Sequence, residues 1–135
     1  MILNIGSDLV DIRRIENAIS RFGSRFENRV FTNGEQKYSR RRADADIRAI
    51  ASTYAKRFAA KEAFAKALNT GFNNGVFWRD IEVVKSESGA VSINATGGAA
   101  ELLRKLTPEG MKPQIFLSLS DEYPYAQAQV IISAV

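Results

Sequence analysis

The chain has 135 residues, enough for one domain with its own buried core, and its 45% apolar and 25% charged residues are those of an ordinary globular protein. It contains no cysteine and no histidine, which excludes disulfides, thiolate metal centres, thiol nucleophiles and histidine bases. Any metal must then be held by oxygen, which points to a hard ion such as Mg2+. The net charge of +4 is uneven: nine Lys or Arg between Arg13 and Arg42 stand against three Glu, a local +6 suited to an acidic partner.

The opening MILNIGSDLV is rich in Ile, Leu and Val and reads as a buried strand. Ile12, Ile15, Ile19, Phe22 and Phe26 then recur at helical spacing, with Arg14, Arg21 and Arg25 projecting together on the opposite face. Gly23 weakens the middle, so one helix or two pieces satisfy the pattern. After the turn FTNGE, Glu35 to Arg42 forms a short helix, and a longer one runs from about Ala43 to Leu68. Its stripe is Ile47, Ile50, Ala51, Tyr54, Phe58, Ala65 and Leu68, and NTGFNNG ends it, with Gly71 as a left-handed cap. IEVVK (Ile81 to Lys85) and AVSIN (Ala90 to Asn94) flank the turn SESG as a hairpin. Thr96-Gly97-Gly98 opens a helix that ends near Leu106, and the strands Gln114 to Ser120 and Tyr125 to Ala134 close the chain. The order predicts one α+β domain over 1–135, with a mainly antiparallel sheet packed against the long helix. No basic-then-apolar pattern opens the sequence, so no signal peptide is expected, and there is no membrane-length apolar run and no Walker A or GxGxxG motif. The expected compartment is the cytoplasm. Trp78 reads as a core or interface anchor.

Two segments place charge where a core should be. In RFAAKEAFAKAL (Arg57 to Leu68), Lys61 projects inside the arc of Ile47, Tyr54, Phe58 and Leu68, Glu62 lies on its rim, and Lys66 stands one turn above Glu62. A snorkelling lysine beside an i,i+4 Glu–Lys pair satisfies this spacing. So does a carboxylate flanked by two ammonium groups at a cleft edge, able to hold Mg2+ and to neutralise phosphate. In IGSDLVDI, Asp8 follows an apolar run where a carboxylate is costly to bury unless paired or bound to metal. Asp11 is the better helix N-cap because the helical period begins at Ile12, which frees Asp8 for another role.

IGSDLVDIRRI, RFAAKEAFAKALNTG and SLSDEYPYAQAQVII, in this order and spacing, resemble the short-chain phosphopantetheinyl transferases over nearly the whole chain. The resemblance implies that family's fold and its reaction, the transfer of 4′-phosphopantetheine from coenzyme A to a serine of acyl carrier protein, with release of 3′,5′-ADP. It implies Asp8 and Glu62 as Mg2+ ligands, Lys66 and Lys61 near the coenzyme A phosphates, and Arg57 as a further member of that pocket. It also implies a role in fatty-acid synthesis and a homotrimer with sites between subunits. The chemistry suits the composition, since breaking a phosphoanhydride depends on positioning and charge neutralisation. Without histidine, the serine proton would go to a carboxylate or to water, and Glu62, beside Lys66, is the expected catalytic carboxylate. Arg14, Arg21 and Arg25 form the face that would dock an acidic carrier protein, with Arg29 and Arg40 to Arg42 as weaker candidates.

In one respect the sequence departs from its relatives, which commonly carry S-x-S-H where this chain has Ser118-Leu119-Ser120-Asp121. Asp121 reads as turn chemistry before Tyr123-Pro124 and is not assigned to catalysis. Two other functions fit the charge: a basic nucleic-acid-binding module, or a family member that binds coenzyme A without catalysis. The first lacks a recognisable RNA- or DNA-binding motif, and the second is opposed by the presence of Asp8, Glu62 and Lys66.

Overall fold

A computed structural model describes residues 1–42, 44–73 and 75–135. Strand β1 (Ile2–Asp11) leads into helices α1 (Ile12–Phe22), α2 (Ser24–Val30) and α3 (Asn33–Ser39), then the long α4 (Ile47–Ala67). A 3-10 turn (Trp78–Asp80) precedes the hairpin of β2 (Ile81–Lys85) and β3 (Val91–Ala95). Helix α5 (Gly97–Leu106) and strands β4 (Pro113–Glu122) and β5 (Tyr125–Ala134) complete the chain. The fold class is α+β as expected: an antiparallel sheet of order β1-β5-β4, a separate β2-β3 hairpin, and α4 against the sheet.

Local chemistry explains most boundaries. Asp11 caps α1 by accepting from the Arg13 N–H, as the onset of helical periodicity requires. Gly23 has φ of 55°, a backbone state that glycine adopts without penalty, and it splits the predicted helix into α1 and α2. Arg14 and Arg21 therefore share α1, while Arg25 belongs to α2, and a projection through Gly23 does not relate them. Phe22, expected on the apolar face, is exposed at the end of α1. Helix α3 begins two residues before the expected Glu35 because Thr32 and Glu35 form a reciprocal capping box. Helix α4 starts at Ile47 behind the Asp46 cap rather than near Ala43, which lies outside the described residues. The left-handed residue that follows its last turn is Asn69, with Gly71 also at positive φ and its N–H bonded to the Ala65 carbonyl.

Helix α4 is buried nearly all round, which a single stripe did not foresee. Ala51, Ala55, Ala59, Ala60, Ala63, Ala65 and Ala67 are all without exposure. Small side chains let the helix lie close to β1 and β5. The approach is tightest at Gly6, where a Cβ would collide with the Ala63 carbonyl oxygen. On β1, Gly6 and Val10 are buried towards the helix, whereas Ile5 and Leu9 are exposed on the outer face. Across the sheet, Ile5 pairs with Ile131 and Ile131 with Phe116, so apolar side chains run over an outer face that no element among the described residues covers. Among the described residues no helix is long and apolar enough to cross a membrane.

Candidate active site

Because Gly6 lets β1 press onto α4, the residue two positions on, Asp8, comes to the same side of the sheet and reaches the helix. Its Oδ1 lies 3.0 Å from Lys66 Nζ, which also donates to the Ser7 carbonyl at 3.1 Å. The carboxylate is largely shielded, while the lysine stays open to solvent. Both line a small cleft with Leu9, Gln127 and Gln129. Glu62, one turn before Lys66, is half-buried. Burial pushes its carboxyl above the ordinary glutamate value and the Asp8 charge pushes it further, against a smaller opposing pull from Lys66 and Arg14. Asp8, Glu62, Lys66 and Arg14 therefore share one electrostatic site at the seam of β1, α4 and α1.

Lys61 requires a correction. The resemblance implied that it lies near coenzyme A phosphates, yet its side chain has 0% exposure and its Nζ is 2.7 Å from Glu35 Oε1. It also donates to the carbonyls of Trp78, at 3.1 Å, and Ile81. Three donors meet three acceptors in the interior, so no ammonium proton remains for a ligand. Glu35 in turn accepts from the Thr32 and Val83 N–H groups, each at 2.9 Å. The pair joins α3, α4 and β2. Its position inside the apolar arc was legible in the helical projection; its partner, 26 positions earlier on another helix, was not.

Arg57 lies in a different pocket from Asp8 and Lys66. It lines a cavity of about 280 Å³ with Tyr38, Arg41, Lys56 and Lys85, contributed by α3 and the turn after it, by α4 and by β2. Only 4% of Arg57 is exposed; its Nε has no partner, and Nη1 reaches the Thr53 carbonyl only at 3.5 Å. Burial lowers its pKa from the ordinary arginine value. A buried guanidinium without a close carboxylate lacks an anion, and the pocket opens beside it. No sequence pattern marks Tyr38, Lys56 or Lys85 as a group, because helix, strand and turn meet here only through the tertiary fold. Asp121 pairs with Lys56 at 3.2 Å on the rim of this pocket.

Arg14, Arg21 and Arg25 are all exposed. Arg40 is instead committed to Glu27 through two hydrogen bonds of 2.8 and 2.9 Å, and Glu27 also accepts from the buried Tyr54 hydroxyl. Trp78 stacks between Phe58 and Phe72, as a core anchor should. Among the described residues, no three acidic side chains cluster as a ready-made metal cage.

Residues 4–128 match the 4′-phosphopantetheinyl transferase superfamily, and the chain belongs to that superfamily. Within it, the chain is similar over its whole length to proteins named holo-[acyl-carrier-protein] synthase. That of Phenylobacterium zucineum is 58% identical over 134 residues, covering 99% of this chain and 94% of the relative. That of Nitrobacter hamburgensis is 56% identical over 135 residues, covering 100% and 96%. The Helicobacter pylori synthase in complex with coenzyme A superposes with a TM-score of 0.77 at 29% identity, covering 96% of this chain and 99% of the other. The Bacillus anthracis synthase in complex with CoA (3′,5′-ADP) gives 0.75 at 28%, covering 98% and 96%.

Proposed function

We propose that this transferase moves 4′-phosphopantetheine from coenzyme A to a serine hydroxyl of apo-acyl carrier protein and releases 3′,5′-ADP. The observation that carries this reading is the Asp8–Lys66 ion pair at the cleft, with Glu62 one turn before Lys66 and in the field of Asp8, in a chain that matches holo-[acyl-carrier-protein] synthases from end to end. The Asp8–Glu62 pair fits Mg2+: both are hard oxygen donors, and the raised proton affinity of Glu62 beside the Asp8 charge is a repulsion that a divalent cation relieves. When bound there, the ion supplies charge neutralisation at the diphosphate.

The chain's own side chains do the rest. Lys66, open to solvent and directed by Asp8 and the Ser7 carbonyl, neutralises phosphate oxygens at the cleft. The basic pocket of Arg57, with Arg41, Lys56 and Lys85, receives a further phosphate of coenzyme A. The serine oxygen bonds to the phosphorus on the pantetheine side as the phosphoanhydride breaks, and the electron pair leaves with 3′,5′-ADP. Glu62 is the carboxylate that accepts the serine proton in this reading. Arg14, Arg21 and Arg25 dock the acidic carrier protein, and Arg14 reaches from that surface to the field of Glu62.

The exposed outer side chains Ile5, Leu9, Phe116 and Tyr125 support a homotrimer that covers this sheet face and completes each site from a neighbouring subunit. The setting is cytoplasmic fatty-acid synthesis. Calorimetric titration tests the substrate reading. Coenzyme A should bind the wild-type protein more tightly with Mg2+ than without it, and E62Q should lose that difference. Equal affinity of the wild-type protein with and without Mg2+, or a difference that E62Q retains, would contradict the metal pair.

A further inference from the structure

The basic pocket poses a physical problem of its own. Arg41, Lys56, Arg57 and Lys85 come from three separate elements, and four like charges around one small cavity repel one another. Asp121 answers only Lys56. What stands among the other three is Tyr38. The centre of the Arg41 guanidinium lies 3.9 Å from the ring centroid and that of Arg57 4.4 Å, both within cation–π range. Lys85 Nζ donates to the phenol oxygen at 3.2 Å, and Arg41 Nη1 donates to the Tyr38 carbonyl at 2.8 Å. One residue thus offers a π-face, a phenol oxygen and a carbonyl to three cations.

We propose that Tyr38 is the positioning residue of this pocket: it holds Arg41, Arg57 and Lys85 convergent before a phosphate arrives, so that coenzyme A meets cations already in place. The inference rests on the reading of the Arg57 pocket as a coenzyme A phosphate site. Burial raises the phenol's proton affinity, but the Lys85 hydrogen bond and the charges of Arg41, Lys85 and Arg57 outweigh it and bring the phenol below its ordinary value. Tyr38 itself is well anchored. It lies one turn after Glu35, which is fixed by the Thr32 capping box, the Val83 N–H and Lys61. Holding the cations together in advance removes an ordering cost from binding, which is how preorganisation raises affinity. Lost preorganisation should therefore appear in binding of coenzyme A and not in the chemical step.

The test is steady-state kinetics of Y38F, Y38L and R57M with coenzyme A and carrier protein, alongside thermal unfolding of each. Y38L should raise the KM for coenzyme A about tenfold, with kcat and the KM for carrier protein within about twofold of wild type. Y38F keeps the ring and loses only the Lys85 hydrogen bond, so it should raise that KM about threefold. If R57M raises the KM and the Tyr38 variants do not, Tyr38 is not a positioning residue and the inference fails alone. An unchanged KM in R57M overturns the pocket reading and the inference with it. A Y38L protein that melts earlier but keeps every kinetic constant shows a purely structural tyrosine and overturns the proposal. Should Y38L not fold, Y38F decides between a raised and an unchanged KM.

Discussion

Lys61 Nζ lies 2.7 Å from Glu35 Oε1, with neither side chain open to solvent. Five positions further along the same helix, Lys66 is half exposed at the mouth of the cleft. The two lysines of RFAAKEAFAKAL have separate tasks: one joins α3, α4 and β2, and the other stands at the cleft, where the proposed reaction has it face substrate. Removing one partner of a buried ion pair strands the other, a loss of about 3–5 kcal/mol. K61M and E35Q should each destabilise the protein by roughly that order in urea unfolding, and the double variant should cost less than their sum. A stable K61M with a selectively raised KM for coenzyme A would mean that Lys61 contacts substrate.

The close approach at Gly6 predicts a coupled loss. In G6A, the new methyl meets the Ala63 carbonyl and must push β1 away from α4. Overpacking of this kind costs about 1–3 kcal/mol. It also moves Asp8, and a small displacement of a charged group at a reacting centre can cost about a hundredfold in rate. Turnover of folded G6A should fall far more than its stability accounts for. Full activity at reduced stability would separate Gly6 from the site.

For Glu62 the sign of the pKa shift follows from its causes: burial and Asp8 raise it, and Lys66 and Arg14 lower it. In a carboxyl NMR titration of the protein free of divalent cation, Glu62 should titrate above an ordinary glutamate. D8N should bring it down, and K66M should take it higher still. A D8N variant that left the Glu62 titration unmoved would show that the two carboxylates do not share a site.

Charge reversal on α1 separates docking from chemistry. R21E should raise the KM for carrier protein several-fold, with a salt-sensitive effect, and leave the KM for coenzyme A nearly unchanged. R14E should do the same and also lower kcat, because Arg14 lies in the field of Glu62. Equal effects of R21E on both substrates would contradict docking on this face.

The sequence was most legible where a local rule acts alone. Asp11 caps α1, Gly23 breaks the helix, and strands of alternating or continuous apolar residues fall close to their predicted bounds. Lys61 shows where projection stops: it placed the lysine inside the apolar arc, but a buried lysine needs a carboxylate, and Glu35 lies in another helix. The α3 capping box was written in Thr32 and Glu35 and still passed unnoticed, because no apolar run follows to announce a helix. The basic pocket was illegible for a different reason. Tyr38, Lys56 and Lys85 belong to segments with no shared period, so only the packed fold brings them together.

The central claim is tested most directly by intact-mass spectrometry of apo-acyl carrier protein after incubation with this protein, coenzyme A and Mg2+, beside D8A and E62A. The carrier protein should gain the mass of one phosphopantetheine with the wild-type chain and neither variant should deliver it at a comparable rate. A wild-type protein that is folded and binds coenzyme A, yet leaves a cognate apo carrier protein unmodified, would contradict the account and show a binding protein without transferase activity.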